Sequence, residues 1–492
     1  MELLWNEVSA ERLVKTVNTQ LRVTGVLPSP DGNDIIEVTG TKASVKVDEA
    51  EVLKDQIRIT GKVVAVVNVR DENGKPFSYE SYAGFENTIE AEGAVPGMRA
   101  AVSTSIQSIA SLPDGKGANM SAVVDVCILI VSETPLRVIG GVSGISDLEM
   151  RKQKLVLTKK RPIGSSVLRL REEIAAEDVK EVISSEGQIA VRDVSLEQGG
   201  ASVSGMITVT AVTGSSKGHI AQFTRQIPFR ERVEINGIGN EAFCTSRIES
   251  LYMRSLGEDL ALISLETEVS FEIFCIDEYE AEIPTDAFSP GIGFDCLFEK
   301  ERFLSCRGAA SAQSTIRESL TLPNSSSDNK EALFANAYPV VTETVTHDGT
   351  VDVSGVFVTG VTYESISGII NTFSEDVPFS ASLEVPQGTD LPIVSAGCTA
   401  SIASGSERSV QIQYNLLLNA DAYGIDEQNA VVGLAESEKR TSESGIVICF
   451  ASEGEDVFDI AKRCGVPCSE VRDLNPDAEE PFREGDRLLV MV

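Results

Sequence analysis

Histidine is almost missing from this chain: His219 and His347 are the only two in 492 residues. Neither has a cysteine or a second histidine at metal-ligand spacing, so both read as solvated turn residues and no metal site is expected. Basic residues are scarce as well, 42 Lys and Arg against 75 Asp and Glu, which leaves a net charge of −33. A surface so acidic opposes wholesale binding of nucleic acid or anionic lipid. The nine cysteines are too sparse for a disulfide scaffold and odd in number, as expected of reduced thiols in a cytosolic protein. Long apolar runs are absent. The strongest, Ala122 to Val131, is interrupted by Asp125 and falls well short of the roughly 18 residues that a membrane span needs. Glu2, Glu7 and Glu11 stand where a secretory signal would be basic and then apolar. The expectation is a protein without membrane insertion that stays in the compartment that makes it.

Constellations for catalysis are missing too. There is no Gly-rich phosphate loop and no nucleophile elbow, so no catalytic residue and no cofactor is expected. Hydrophobic residues make up 42% and charged residues 24%, proportions that allow buried cores rather than an acidic disordered tail. At roughly 100 to 200 residues per domain, the length suggests three or four domains.

What is present is an internal repeat. Gly61, Gly205 and Gly355 each lie inside a Val/Ile-rich stretch, and Phe85, Phe229 and Phe379 each follow their glycine by 24 residues. Four residues beyond each phenylalanine stands Ile89, Val233 or Leu383, and the next residue is always glutamate: Glu90, Glu234 or Glu384. Two copies carry an apolar-Pro-Phe triplet, Ile227-Pro228-Phe229 and Val377-Pro378-Phe379, whereas the first reads Ala83-Gly84-Phe85. One such glutamate per copy cannot form the carboxylate pair of a glycosidase, so these read as solvent-facing strand residues.

Around each glycine the hydrophobic period is two, as in Ile57, Ile59, Gly61, Val63, Ala65, Val67 and Val69, which predicts strands with one packed face. Turn signals such as Gln198-Gly199-Gly200 and His347-Asp348-Gly349 predict antiparallel hairpins. The glycine itself fits a bulge, a close backbone approach or a tolerated small residue. Three β-rich domains follow, at 1–147, 148–290 and 291–433. Short amphipathic helices are expected over Glu7 to Leu21 and Ala176 to Ser184, with a weaker one over Asp328 to Ala337.

Residues 434–445 are polar and read as a linker. From 446 to 492 the pattern predicts strand, helix, helix, strand: Ile446 to Ala451, about Asp456 to Cys464, about Ser469 to Leu474, and Arg487 to Val492. Asp456, with Asp459 three residues on, suits a helix cap. This module holds eleven acids and five bases, a net charge of −6. Cys464 and Cys468 bracket a turn and Cys449 lies in the neighbouring strand; without a Cys-x-x-Cys motif they read as reduced thiols, with a redox pair as the alternative.

The stretch Gly454-Glu455-Asp456-Val457-Phe458, with Asn475-Pro476 and Gly485-Asp486-Arg487-Leu488, resembles a LysM module, in which Cys464 stands where tyrosine is usual. The glycine-centred strand and the apolar-Pro-Phe motif resemble SPOCS-type domains of endospore-forming clostridia, which commonly precede a LysM module. The fold class expected is therefore mainly β: three tandem antiparallel β-rich repeat domains plus a small βααβ LysM domain.

The resemblance implies a non-enzymatic spore-coat assembly factor of the mother-cell cytoplasm, concentrated at the forespore surface, whose partner is a coat morphogenetic ATPase. It places the ligand groove at Gly454, Glu455, Asp456, Val457, Phe458, Asn475 and Pro476. The alternative is a LysM-mediated binder of peptidoglycan or another wall glycan. The acidity of the module opposes attachment to a polyanionic wall.

One stretch breaks the acidic pattern. From Arg151 to Arg171 there are eight bases and no acid: Arg151, Lys152, Lys154, Lys159, Lys160, Arg161, Arg169 and Arg171. It reads either as a solvated strand or, through Arg151, Lys152, Lys154, Lys159, Lys160 and Arg161, as a dock for an acidic partner or a second copy of the chain.

Overall fold

The computed structural model describes residues 2–30, 32, 34–72, 74–143, 145–176, 178–237, 241–257, 262–323, 329–437 and 445–492. It is mainly β. In chain order come β1 (Glu2–Val8), β2 (Arg12–Pro28), β3 (Ile35–Leu53), β4 (Gln56–Asp71), β5 (Pro76–Glu90), β6 (Arg99–Pro113), β7 (Gly117–Ser132) and β8 (Leu136–Ser143). Next are β9 (Glu149–Ala175), β10 (Glu181–Glu197), β11 (Gly200–Gly214), β12 (Ile220–Glu234), β13 (Ala242–Ser255) and β14 (Leu262–Phe288). Then follow β15 (Phe294–Thr321), β16 (Asn329–His347), β17 (Thr350–Ser365), β18 (Ile370–Glu384), β19 (Leu391–Gly405) and β20 (Ser409–Glu436). The chain closes with β21 (Ile446–Phe450), α1 (Val457–Cys464), α2 (Cys468–Leu474) and β22 (Arg487–Met491).

Alternation dictates how the strands pack. In β4, Ile57, Ile59, Val63, Ala65, Val67 and Val69 point to one side and are fully buried. They meet Leu21, Val23 and Leu27 of β2 and Val124, Val126 and Ile128 of β7, so sheet β3-β4-β5 packs over the strands of β2-β7-β6. Each fully buried Val or Ile contributes about 1.5–3 kcal/mol relative to exposure. Sheet β10-β11-β12 shares a core with β13-β14-β9, and β16-β17-β18 with the β19-β20-β15 half of a six-stranded sheet. That sheet runs β19-β20-β15-β2-β7-β6, and β15 meets β2 at the single pair Phe303–Arg12. There Arg12 Nη1 donates to Glu301 at 2.7 Å.

Gly61 pairs with Phe85, Gly205 with Phe229 and Gly355 with Phe379. A Cβ built on these glycines would lie 2.4, 2.1 and 2.2 Å from the carbonyl oxygens of Lys46, Ala190 and Val340, and 2.8–2.9 Å from the paired phenylalanine ring. On the other flank the neighbouring strand shifts register beside Val47, Val191 and Val341. Close approach therefore explains the glycine, and the bulge lies on the strand opposite it. Phe229 and Phe379 are buried, while Phe85 is half-buried.

Two-residue loops close three hairpins: Lys54-Asp55, Gln198-Gly199 and Asp348-Gly349. Each has a positive φ at its second position, 56° at Asp55, 74° at Gly199 and 75° at Gly349, the left-handed region that glycine enters without strain and aspartate tolerates.

The helices expected at the repeats are strands instead. Glu7 to Leu21 belongs to β1 and β2, where Val14, Thr16, Val17 and Thr19 favour extended backbone and pairing with the apolar β7 overrides an incidental helical spacing. Of the 176–184 stretch, residues 181–184 lie in β10 and residue 177 falls outside the described residues; Asn329 to Ala337 lies in β16, with Asp328 also outside them. Among the described residues no helix is long and apolar enough to cross a membrane.

Candidate functional site: the C-terminal module and its seat

Residues 446–492 form an antiparallel pair, β21 with β22, covered on one face by α1 and α2. Asp456 caps α1: its carboxylate accepts from the Asp459 backbone N–H at 3.1 Å, and the Asp459 carboxylate accepts from the Asp456 N–H at 3.1 Å. This reciprocal box satisfies two otherwise orphaned donors. Gly465 ends the helix at φ 69°, a left-handed conformation that glycine adopts without strain.

Asn475 is a fastener. Its Nδ2 donates to the carbonyls of Val471 and Leu489, each at 2.7 Å, and its Oδ1 accepts from the Leu489 N–H at 2.8 Å. It ties the end of α2 to β22.

The capped end of α1 sits against β9 and the end of β14. Arg151 Nη2 lies 2.5 Å from Asp456 and 2.9 Å from Asp459, and its guanidinium stacks 4.5 Å from the centre of the Phe458 ring. Phe458 meets Phe288 edge-on at 5.0 Å. Lys462 pairs with Asp286 at 2.5 Å, and Glu149 accepts from the Cys468 N–H at 3.3 Å. Burial is the largest single influence on Asp459 and works against its ionisation, yet the hydrogen bonds from Arg151 and Asp456 and the charge of Arg151 together outweigh it and hold the carboxyl below its ordinary value of 3.8.

The groove residues named from the sequence therefore divide. Gly454 and Pro476 are exposed; Glu455, Asp456 and Asn475 are half-buried; Val457 and Phe458 are buried. Glu455 is engaged by Arg463 at 3.0 Å. One groove residue, Asp456, pairs with one basic-dock residue, Arg151, within the same chain.

The rest of the basic strand is matched by acids. Lys152 pairs with Glu282 and Lys154 with Glu280, both at 3.6 Å; Arg161 pairs with Asp277, Arg169 with Glu268 at 2.8 Å and Arg171 with Glu266 at 3.8 Å. Lys159 reaches Glu11 at 3.6 Å, and Lys160 lies 3.9 Å over the Phe274 ring. Most of these acids line β14, the hydrogen-bonded neighbour of β9.

A second surface was missed by the reading of the sequence. Ile446 and Ile448 pair with Met491 and Leu489, and with Phe450 these five side chains share the sheet face turned away from the helices, all exposed. Ile446 is 72% exposed and Phe450 59%. The signal was available: Ile446-Val447-Ile448-Cys449-Phe450 is apolar without alternation, so both faces of the strand carry apolar side chains. Arg487 lies 5.9 Å over Phe450 at one end of this patch.

A cavity of about 570 Å³ opens where β6, β7, β10, β13, β15, β19 and β20 converge. Arg192, Asp193, Asn419 and Asp421 supply its polar lining, and burial raises the Asp421 carboxyl. Among the described residues no group of three His, Cys, Asp or Glu side chains stands ready for a metal.

These features define a chain of stacked antiparallel sheets with a small strand-helix-helix-strand module seated on it. Residues 34–111 and 178–254 match the SipL, SPOCS domain family. The first match spans β3 to β6 and the second β10 to β13, the corresponding strands of two sheet pairs. The similarity points to a sporulation-related protein. Comparison with curated proteins and with solved structures gave no match.

Proposed function

We propose that this chain is a non-enzymatic adaptor in endospore coat assembly, in which three SPOCS-type domains form the body and a C-terminal LysM domain binds a coat morphogenetic ATPase at the forespore surface, on the mother-cell side. The observation that carries the reading is the pairing of SPOCS-type segments with an acidic module that leaves an apolar sheet face open to solvent. Acidic surroundings with an apolar centre suit a basic, partly apolar protein surface better than a sugar.

The seat on β9 bears on how such a grip works. Gly454, Glu455, Asp456, Asn475 and Pro476 are reachable with the module in place, Asp456 while engaged by Arg151, whereas Phe458 becomes reachable only when α1 leaves Arg151 and Phe288. Most of the basic strand is already matched by acids of β14, and Lys159 by Glu11, so the reading gives it no external acidic partner beyond the module itself.

The test is binding of the purified full chain to a purified coat morphogenetic ATPase, alongside sedimentation with purified peptidoglycan at moderate salt. Salt-dependent binding to the ATPase that is lost in Ile448→Asp, with no sedimentation, supports the proposal. Sedimentation with peptidoglycan and no ATPase binding would replace it with the wall-glycan reading.

A further inference from the structure

The module holds a sulfur pair that neither the partner-binding reading nor the fold requires. Cys449, in the middle of β21, and Cys464, the last residue of α1, bring their Sγ atoms to 2.9 Å, inside van der Waals contact. Both are free and half-buried. Their elements are clamped around them: Arg463 Nη2 donates to the Phe450 carbonyl at 2.8 Å, beside Cys449 on the strand and Cys464 on the helix. Gly465 then turns the chain away in the left-handed conformation.

We propose that Cys449 and Cys464 are a redox-active dithiol that closes to an intramolecular disulfide when a hydroperoxide is the oxidant. Closure brings the sulfurs from 2.9 Å to about 2.05 Å, a movement of less than 1 Å for side chains already facing each other.

The chemistry balances in two steps. One sulfur attacks the peroxide O–O bond, giving a sulfenic acid and releasing one water, or an alcohol from an alkyl hydroperoxide. The second sulfur then displaces the sulfenic hydroxyl, which leaves as water with the remaining thiol proton. Two S–H bonds and one O–O bond are lost, one S–S bond forms, and the peroxide takes up two electrons. Burial, then the neighbouring Cys449, push the Cys464 thiol up to about 12. The closed bond would fix β21, with its exposed Ile446, Ile448 and Phe450, to the helix whose other end sits on Arg151.

The experiment uses the full chain, reduced, freed of reductant, exposed to dilute hydrogen peroxide and alkylated before tryptic mapping. Cleavage after Lys462 or Arg463 parts the two cysteines. Because the peptide beginning at Cys464 also contains Cys468, fragmentation, or the Cys468→Ser variant, identifies the linked sulfur. The expected result is one cross-linked peptide pair joining Cys449 to Cys464, reversed by reductant, with a melting temperature several degrees higher for the oxidised chain than for the reduced one. In Cys449→Ser, Cys464 should remain open to alkylation. Recovery of both cysteines alkylated after peroxide has oxidised other thiols of the chain would overturn the proposal. So would a dominant link from Cys449 to Cys468.

Discussion

Replacing Gly205 by alanine tests the physical reason for the glycine that recurs along this chain. Gly205 sits in the central strand β11, between Val191 and Phe229. Its new Cβ would lie 2.1 Å from the Ala190 carbonyl oxygen and 2.9 Å from two ring carbons of Phe229. The ring has some freedom to tilt. The carbonyl has little, because it belongs to a strand paired along its whole length, and relief requires about 1 Å of backbone movement in a close-packed interior. Overpacking of this kind costs about 1–3 kcal/mol, and a backbone clash belongs at the upper end. Against it stands the entropic gain of Gly→Ala, about 0.4–1 kcal/mol through the unfolded chain. The net expectation is a loss of about 2 kcal/mol, or roughly 4–8 °C for a unit of 150–250 residues. Because several sheet pairs need not melt together, hydrogen exchange of β10 to β12 should be followed beside the thermal transition. Gly397→Ala is the control, since its Cβ would meet only Gln188 Nε2 at 3.7 Å. A Gly205→Ala protein as stable as Gly397→Ala would refute the close-approach argument, and with it the explanation offered for Gly61 and Gly355.

Further expectations follow from the core and the seat. Phe357 is stacked between Phe379 at 4.5 Å and Tyr414 at 4.4 Å and is fully buried, so Phe357→Ala should cost about 3–5 kcal/mol in urea unfolding. Asn475→Ala removes two hydrogen bonds that join the end of α2 to β22 and a third to Val471 within α2, and should cost about 1–3 kcal/mol, seen as faster exchange throughout 446–492 without change in β1 to β20. Arg151→Ala should loosen the seat of α1 by about 1–2 kcal/mol, read as increased proteolysis at the module boundary, whereas Arg169→Ala, on a side chain 78% exposed, should change stability by less than about 0.5 kcal/mol. The seat should also respond to acid. Because the docked Asp459 carboxyl lies below 3.8, its contribution is complete above that value and is lost as pH falls through the lower, docked one; release of the module on raising pH from 5 to 7 would contradict the assignment.

Much of the β architecture was legible because burial follows a period of two. The buried series Ile57 to Val69, the glycine-phenylalanine pairs and the two-residue turns all lie within one hairpin each, so sequence offsets map directly onto register. The helical reading of Glu7 to Leu21 failed for the complementary reason. A strand pairing across more than 100 residues, β2 with β7, leaves no local mark, and the local pattern of charges imitated a helix. In the module the caps are set by neighbours in the chain, as where Asp456 and Asp459 close the start of α1, the cap that their spacing predicts.

The candidate site was legible only by halves. Arg151 stood out as the start of a basic run, and Asp456 as a capping acid in a module of net charge −6. Nothing in the spacing says that residues 305 apart meet at 2.5 Å. Composition alone could have warned that β9 would be matched, because a strand carrying eight bases must lie beside something in a chain with 33 more acids than bases. Alternating Glu266, Glu268, Glu280 and Glu282 on β14 supply the match. What then distinguishes Arg151 from the other bases is position. It lies near the start of β9, where β14 is finishing, and its acids come from the module rather than from the neighbouring strand. A pair made that way depends on where the module is held, while those of Lys152 to Arg171 depend mainly on the sheet. The electrostatic contacts able to open without unfolding the body are therefore those of the seat, Arg151 with Asp456 and Asp459 and Lys462 with Asp286, with the covered side chain of Phe458 behind them.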